Sequence, residues 1–220
     1  MSKADTLKPA QINKVLRTCD LMSHSECKKC VLVLSHSAMR ITEIGLLEVR
    51  TILFANGKVK SEIHLPSKIC KGLKPRTIWL SDKSRLIIQN WIDYRIKKKW
   101  GLMLHGDQYQ SLNPKSKLIF NSRGKPYELQ PKHRKLENGN RTYWACDSLE
   151  QAVRNIYKKC GLHNCSSHSG RKALCSNGVV RGVSLEQLAR ILGHREVSTT
   201  LKYIVIDEYR IKQMCAEDWI

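Results

Sequence analysis

The sequence predicts a mixed α+β domain, mainly helical with one small antiparallel β-sheet. Three observations predict it. Apolar residues recur at helical spacing in several segments, as in Ile88, Ile92 and Ile96 with Trp91 on the adjoining part of that face. A serine followed three residues later by a glutamine heads two such segments, at Ser148 with Gln151 and at Ser184 with Gln187, the pattern of a capping box. Two β-leaning stretches, near 58–65 and 76–80, flank PSKICKGLKP; its proline and glycine punctuation reads as the connection of a hairpin with a basic turn.

Residues 1–20 are polar and weakly patterned, and are expected to form an N-terminal extension. CVLVLSHSAMRITEIGLL (30–47) reads as two short helices around a turn at 35–39. After the hairpin, Ser81 and Asp82 supply capping oxygens for the helix bearing Ile88, which ends in the basic run 97–99. From 101 to 147 the composition shifts to Gly, Asn, Pro, Lys and Gln, with one apolar island at 118–120 before the turn-like NSRGKP, so this stretch reads as mostly loop. The helix headed by Ser148 carries Leu149, Ala152, Val153, Ile156 and Cys160 and stops at Gly161; the one headed by Ser184 carries Leu185, Leu188, Ile191 and Leu192 and ends at Gly193. IVIDEYRIKQMCAEDWI, at the C-terminus, predicts one more helix with Ile204, Ile211, Met214 and Trp219 as its apolar residues.

The 220 residues hold 39 Lys plus Arg against 19 Asp plus Glu, a net charge of +20 that calls for a polyanionic partner, by default nucleic acid. A hydrophobic content of 41% excludes a disordered basic tail, which lacks the apolar surface to offset its ordering entropy. No apolar run approaches the roughly 20 residues that cross a bilayer. The start MSKADTLKPAQ also lacks the apolar centre of a secretion signal, so a soluble intracellular protein without a membrane partner is expected. Nine cysteines, an odd number in a chain that is not small, read as reduced thiols. Cys27 and Cys30 have the spacing of half a zinc site, and Cys160, His163, Cys165 and His168 cluster later. A structural zinc needs four ligands with tetrahedral reach, and the expectation is no metal and no cofactor.

No phosphate-cradling glycine loop, no HExxH and no acidic pair of a two-metal nuclease is present. Basic and phenolic residues remain. Arg40-Ile-Thr-Glu43 places an arginine and a carboxylate three apart, on one side of a helical turn; His168-Ser-Gly-Arg171 precedes Leu192-Gly193-His194, and Tyr203 follows nine residues after His194. Each piece alone is weak, but their joint order and spacing, with the basic hairpin between them, resembles the tyrosine recombinases, also called phage integrases, over about residues 21–210.

That resemblance implies the catalytic-domain fold of the family and a set of roles. Arg40 and Arg171 clamp the scissile phosphate, since a planar guanidinium donates two hydrogen bonds, keeps its proton and neutralises charge on the five-coordinate transition state. Tyr203 is the nucleophile, forming a 3′-phosphotyrosyl link that conserves the bond energy without ATP; Tyr209, six residues later, is its rival. His168 accepts the proton and His194 hydrogen-bonds a phosphoryl oxygen. A hairpin lysine protonates the departing 5′ oxygen, and KGLKPRTIWL places it at Lys71 with Lys68 as the fallback. Lys58, Lys60 and Lys74 are read as backbone contacts; Lys68, Lys74 and Arg76 are the DNA-binding residues, while Glu43 orients the basic groups without touching DNA. One departure is Ala38, where a glycine commonly stands two residues before the first arginine.

The function implied is a site-specific DNA recombinase of integrase or invertase type, acting on double-stranded DNA as a homo-tetramer. Residues 204–220 would pass between protomers, and the need for an accessory DNA-bending protein or a partner recombinase stays open. Only about 20 residues precede the pattern, so a member consisting of the catalytic domain alone is expected, divided as 1–20, 21–203 and 204–220. It would be cytoplasmic, prokaryotic or phage-encoded, and associated with the nucleoid. Two other readings remain, a type IB topoisomerase-like enzyme and an accessory DNA-binding protein of the same fold.

Overall fold

In the computed structural model, which describes residues 4–136, 139–204 and 216, helices carry most of the chain. Their order is α1 (Pro9–Asp20), α2 (Ser25–His36), α3 (Ile41–Leu46), α4 (Val49–Ile52), strands β1 (Glu62–Leu65) and β2 (Arg76–Trp79), and α5 (Asp82–Lys97). Strands β3 (Gln130–Leu136) and β4 (Gly139–Ala145) follow, then α6 (Asp147–Lys159), α7 (Ser167–Val180), α8 (Leu185–Leu192) and α9 (Val197–Leu201).

Local chemistry explains the boundaries. The Ser81 hydroxyl caps α5 by accepting from the Ser84 amide at 3.2 Å, and Ile88, Trp91 and Ile92 are fully buried on its inner face. At α8 the expected capping box forms, and Gly193 closes the helix in the left-handed conformation at φ 64°. The box expected at Ser148 does not form. Cys146 takes the cap position in place of Ser148, so α6 starts two residues earlier, at Asp147, and Gln151 donates to Asn155 instead.

Residues 1–20, expected as an extension, are built into the domain. Ile12, Val15, Leu16 and Cys19 follow the helical period, and Leu7, Val15 and Cys19 are buried in the main core. Apolar α2 runs through that core and packs on α1, α5 and α7. The thiols of Cys27 and Cys30 are part of it; that of Cys27 donates to the Phe120 carbonyl at 3.3 Å, and burial pushes its pKa up to about 12.

The expected hairpin is present, with β1 antiparallel to β2 in the register Ile63↔Ile78 and Leu65↔Arg76. Two short 3₁₀ turns, Ser67–Ile69 and Lys71–Leu73, connect the strands. A second two-stranded sheet corrects the expectation that 101–147 is mostly loop: β3 and β4 pair antiparallel, with Gln130↔Ala145 and Lys132↔Tyr143. Among the described residues the fold thus has two small sheets, not one, within the same mainly helical class. The C-terminal helix predicted from Ile204 onward, together with Tyr209, Ile211, Met214 and Trp219, lies outside the described residues apart from Ile204 and position 216. Among the described residues no helix is long and apolar enough to cross a membrane.

Candidate active site

The C-terminus of α8 organises the site. A helix end leaves its last carbonyls without intrahelical partners and carries the negative pole of the dipole, so cations dock there. Arg40 donates through Nη2 to the carbonyls of Leu192 and Gly193, both at 3.2 Å, and Arg171 donates through Nη2 to Leu192 at 2.8 Å. A third arginine, Arg76, reaches the Ile191 carbonyl from Nε at 3.2 Å. A second focus is the carbonyl of Ala38, which accepts from Arg76 and Arg171. Ala38 has φ 72°, so the turn keeps the left-handed angle usually left to glycine and aims this carbonyl at both guanidinium groups.

Glu43 balances the charge from below. Fully buried on α3, its carboxylate accepts from the Arg40 backbone amide at 2.7 Å, from Arg40 Nη1 at 3.0 Å and from Arg76 at 2.8 and 3.1 Å. Arg76, expected to contact DNA, is 9% exposed in the free chain and donates to Glu43, Ala38 and Ile191. The signal was the strand period, since Arg76 and Ile78 share the buried face of β2.

Arg171, from α7, is 1% exposed; burial first, then the charge of Arg40, lowers its pKa to about 10, so it stays protonated at neutral pH. Its guanidinium carbon lies 5.9 Å from the centre of the Tyr203 ring. His194 sits between them in sequence and space: its ring centre is 4.9 Å from that of Tyr203, and its Nε2 is 3.4 Å from Arg171 Nη2. Burial, followed by the charges of Arg171, Arg40 and Arg76, depresses the His194 pKa to about 4. The ring is therefore neutral at pH 7. Because an arginine can only donate, Nε2 accepts, and Nδ1–H donates to Thr200 Oγ1 at 2.9 Å. Half-buried Tyr203 follows α9 and packs on the small cluster of Ala38, Cys175, Leu188 and Leu192.

Arg40 and Arg171 also line a cleft of about 820 Å³ shared with Lys68, Lys71 and His168. His168, on the first turn of α7, is exposed toward solvent but crowded on its inner side. Loss of solvation, reinforced by Arg171, Arg40 and Arg154 and opposed by Glu150, lowers its pKa. Lys71 is exposed and in no ion pair among the described residues, whereas Lys68 pairs with Glu48 at 3.3 Å; Lys74 is exposed on the same connection. The structure thus brings Arg40, Glu43, Arg171, His194 and Tyr203 into one contact network, and sets Lys71 and His168 around the adjoining cleft. Sequence reasoning missed Thr200, which holds His194, and the aromatic residues of β4 that wall the cleft, Tyr143 and Trp144.

The family model described as the phage integrase family matches residues 5–210. No curated protein matches the sequence significantly. Among solved structures, the XerA recombinase has a TM-score of 0.68 at 17% identity, over 98% of this chain and 66% of that one. XerH site-specific recombinase bound to palindromic difH substrate, in a post-cleavage complex, has a TM-score of 0.65 at 17% identity, over 97% and 53%. The Tn1549 transposon integrase in complex with transposon right end DNA has 0.59 at 15%, over 96% and 66%. The chain spans less than two thirds of the length of each, and at these identities the likeness is one of fold.

Proposed function

Because the chain belongs to the phage integrase family, we propose that it is a site-specific recombinase, cutting and rejoining duplex DNA through a 3′-phosphotyrosyl intermediate on Tyr203. One observation carries the reading: Arg40 and Arg171 converge on the Leu192 carbonyl at the edge of an open cleft, with the Tyr203 and His194 rings beside Arg171. In the free chain the two guanidinium groups are held by backbone carbonyls. A phosphodiester entering the cleft offers charged oxygens, which accept from arginine more strongly than neutral carbonyls do.

In this reading the Tyr203 oxygen attacks phosphorus, forming the O–P bond as the bond to the 5′ oxygen breaks. The Tyr203 ring lies beside Arg171, 5.9 Å from its guanidinium carbon, and in this reading its hydroxyl meets the phosphate that Arg171 holds. The phenol proton passes to His168, which is neutral at pH 7 and lines the cleft, and Lys71 donates a proton to the leaving 5′ oxygen. Arg40 and Arg171 stabilise the charge on the five-coordinate phosphorus. Ligation is the reverse, with a 5′ hydroxyl displacing the tyrosine. Exchange between two DNA sites requires several protomers, and a homo-tetramer on DNA, with or without an accessory protein, belongs to the same proposal; XerH and the Tn1549 integrase are themselves solved with DNA.

The test is to express the protein in cells, stop them with denaturant and sequence the DNA left covalently attached. Tyr203-dependent adducts converging on an inverted repeat are expected. Adducts scattered without sequence preference would instead indicate relaxation chemistry, and the absence of any adduct would contradict the proposal.

A further inference from the structure

The second hairpin takes no part in the phosphate clamp, yet it walls the same cleft. Tyr143 and Trp144 on β4 line it together with Arg40, Lys71, His168 and Arg171. Trp144 is 60% exposed and Tyr143 47%. An indole left this open beside a cationic cleft is available for contact, since tryptophan ordinarily covers most of its surface.

The base of the hairpin is fixed to the clamp. Gly45, on α3, leaves room for the chain on either side of β3–β4: a Cβ there would stand 3.2 Å from Cys146 Sγ and 3.5 Å from Leu129. Lys132 on β3 pairs with Asp147 at the start of α6 at 2.5 Å, and His133 Nδ1 lies 3.1 Å from Thr142 Oγ1 across the strands. In sequence, 130–145 hold four lysines and arginines against one carboxylate. That balance favours a nucleic-acid backbone over a protein surface.

We propose that Trp144 is a stacking platform for a base unpaired next to the scissile phosphate. The proposal rests on the recombinase reading and deepens it. In an intact duplex each base face is covered by its neighbours, and only edges are open to a side chain. Passing a cut strand to another duplex exposes base faces beside the break, within the cleft that Trp144 walls. Any base offers a π-face, so the contact would hold the displaced strand without regard to sequence.

The test uses the full chain, its Trp144→Ala and Trp144→Phe variants, and two fluorescein-labelled DNAs: a fully paired duplex and the same duplex with a short mismatched bubble. Binding is read by anisotropy at fixed salt, and melting temperatures are compared. The Ala variant should weaken bubble binding about tenfold, within the range of base–aromatic stacking. Affinity for the paired duplex should stay within about twofold and melting should be unchanged, because the side chain is exposed. Trp144→Phe should retain most of the bubble affinity. Equal losses on both DNAs, or no loss on the bubble, would overturn the platform while leaving the recombinase reading intact. Failure of the wild-type chain to bind either DNA would overturn both.

Discussion

Arg76 donates to both oxygens of the Glu43 carboxylate, at 2.8 and 3.1 Å, in a pair almost wholly removed from water. The pair ties β2 to α3, the helix that Arg40 caps. It also sets the charge of the site. Among the described residues Glu43 is the one carboxylate set against Arg40, Arg76 and Arg171 in this network, which leaves an excess of positive charge where a phosphate would bind.

Glu43→Ala leaves Arg76 buried without its counter-charge. Removing one partner of a buried pair costs about 3–5 kcal/mol, and the variant should lose stability of that order in urea denaturation. Cleavage should fall as well, because Arg40 loses the group that orients it. A stability change under about 1 kcal/mol, typical of exposed pairs, would show that the pair does not organise the site.

Gly193 has φ 64°, and a Cβ there would stand 2.7 Å from Arg76 Cδ. Gly193→Ala should therefore cost about 1–2 kcal/mol from the left-handed backbone alone. Displacement of Arg76 should add to it. Denaturation and DNA-cleavage assays check this together, and an alanine variant of unchanged stability would contradict the packing described.

The depressed pKa of His194 gives stability a pH dependence of known sign. The folded state binds its proton less readily than the unfolded chain, whose value is near 6.5, so the contribution is complete above 6.5 and is lost as pH falls toward about 4. His24, His36 and His168 are shifted in the same direction. The urea midpoint should fall between neutral pH and about pH 5, and His194→Gln, which still offers Arg171 an acceptor, should flatten part of that fall. An identical pH profile in the variant would place the proton uptake elsewhere.

Lys71 and Lys68 are separated by leaving-group chemistry. A substrate with sulfur in place of the departing 5′ oxygen leaves as a thiolate, which needs no general acid because thiols ionise near pH 8.5. Lys71→Ala should cut slowly on normal DNA, by about 100-fold or more, and recover on the sulfur substrate. Lys68→Ala should be slowed far less, since its ammonium is already paired with Glu48. Rescue of Lys68→Ala and not of Lys71→Ala would reverse the assignment.

Most of this fold was legible because its signals are local. Capping serines, the four-residue spacing of α5 and the glycine after α8 need no tertiary context, and the motifs around Arg40, Arg171 and Tyr203 were read from their order and spacing along the chain. The hairpin β3–β4 was not legible, since β3 is a run of polar and basic residues without alternation, and its pairing with β4 is set in the fold. The helical period over Ile12, Val15, Leu16 and Cys19 was in the sequence, but its polar setting hid it. The Arg76–Glu43 pair was not legible, because a lone arginine in a basic hairpin gives no sign of its partner; Glu43 lies 33 residues away and meets it only in the fold.

Tyrosine 203 as the covalent nucleophile is the central claim, and mass spectrometry of the trapped adduct tests it most directly. After nuclease digestion and trypsin, cleavage following Lys202 and Arg210 gives the peptide YIVIDEYR, which holds Tyr203 and Tyr209 together, and fragmentation separates them. A nucleotide on Tyr203, absent from Tyr203→Phe, is the predicted result. A nucleotide on Tyr209, or an adduct that persists in Tyr203→Phe, would contradict it.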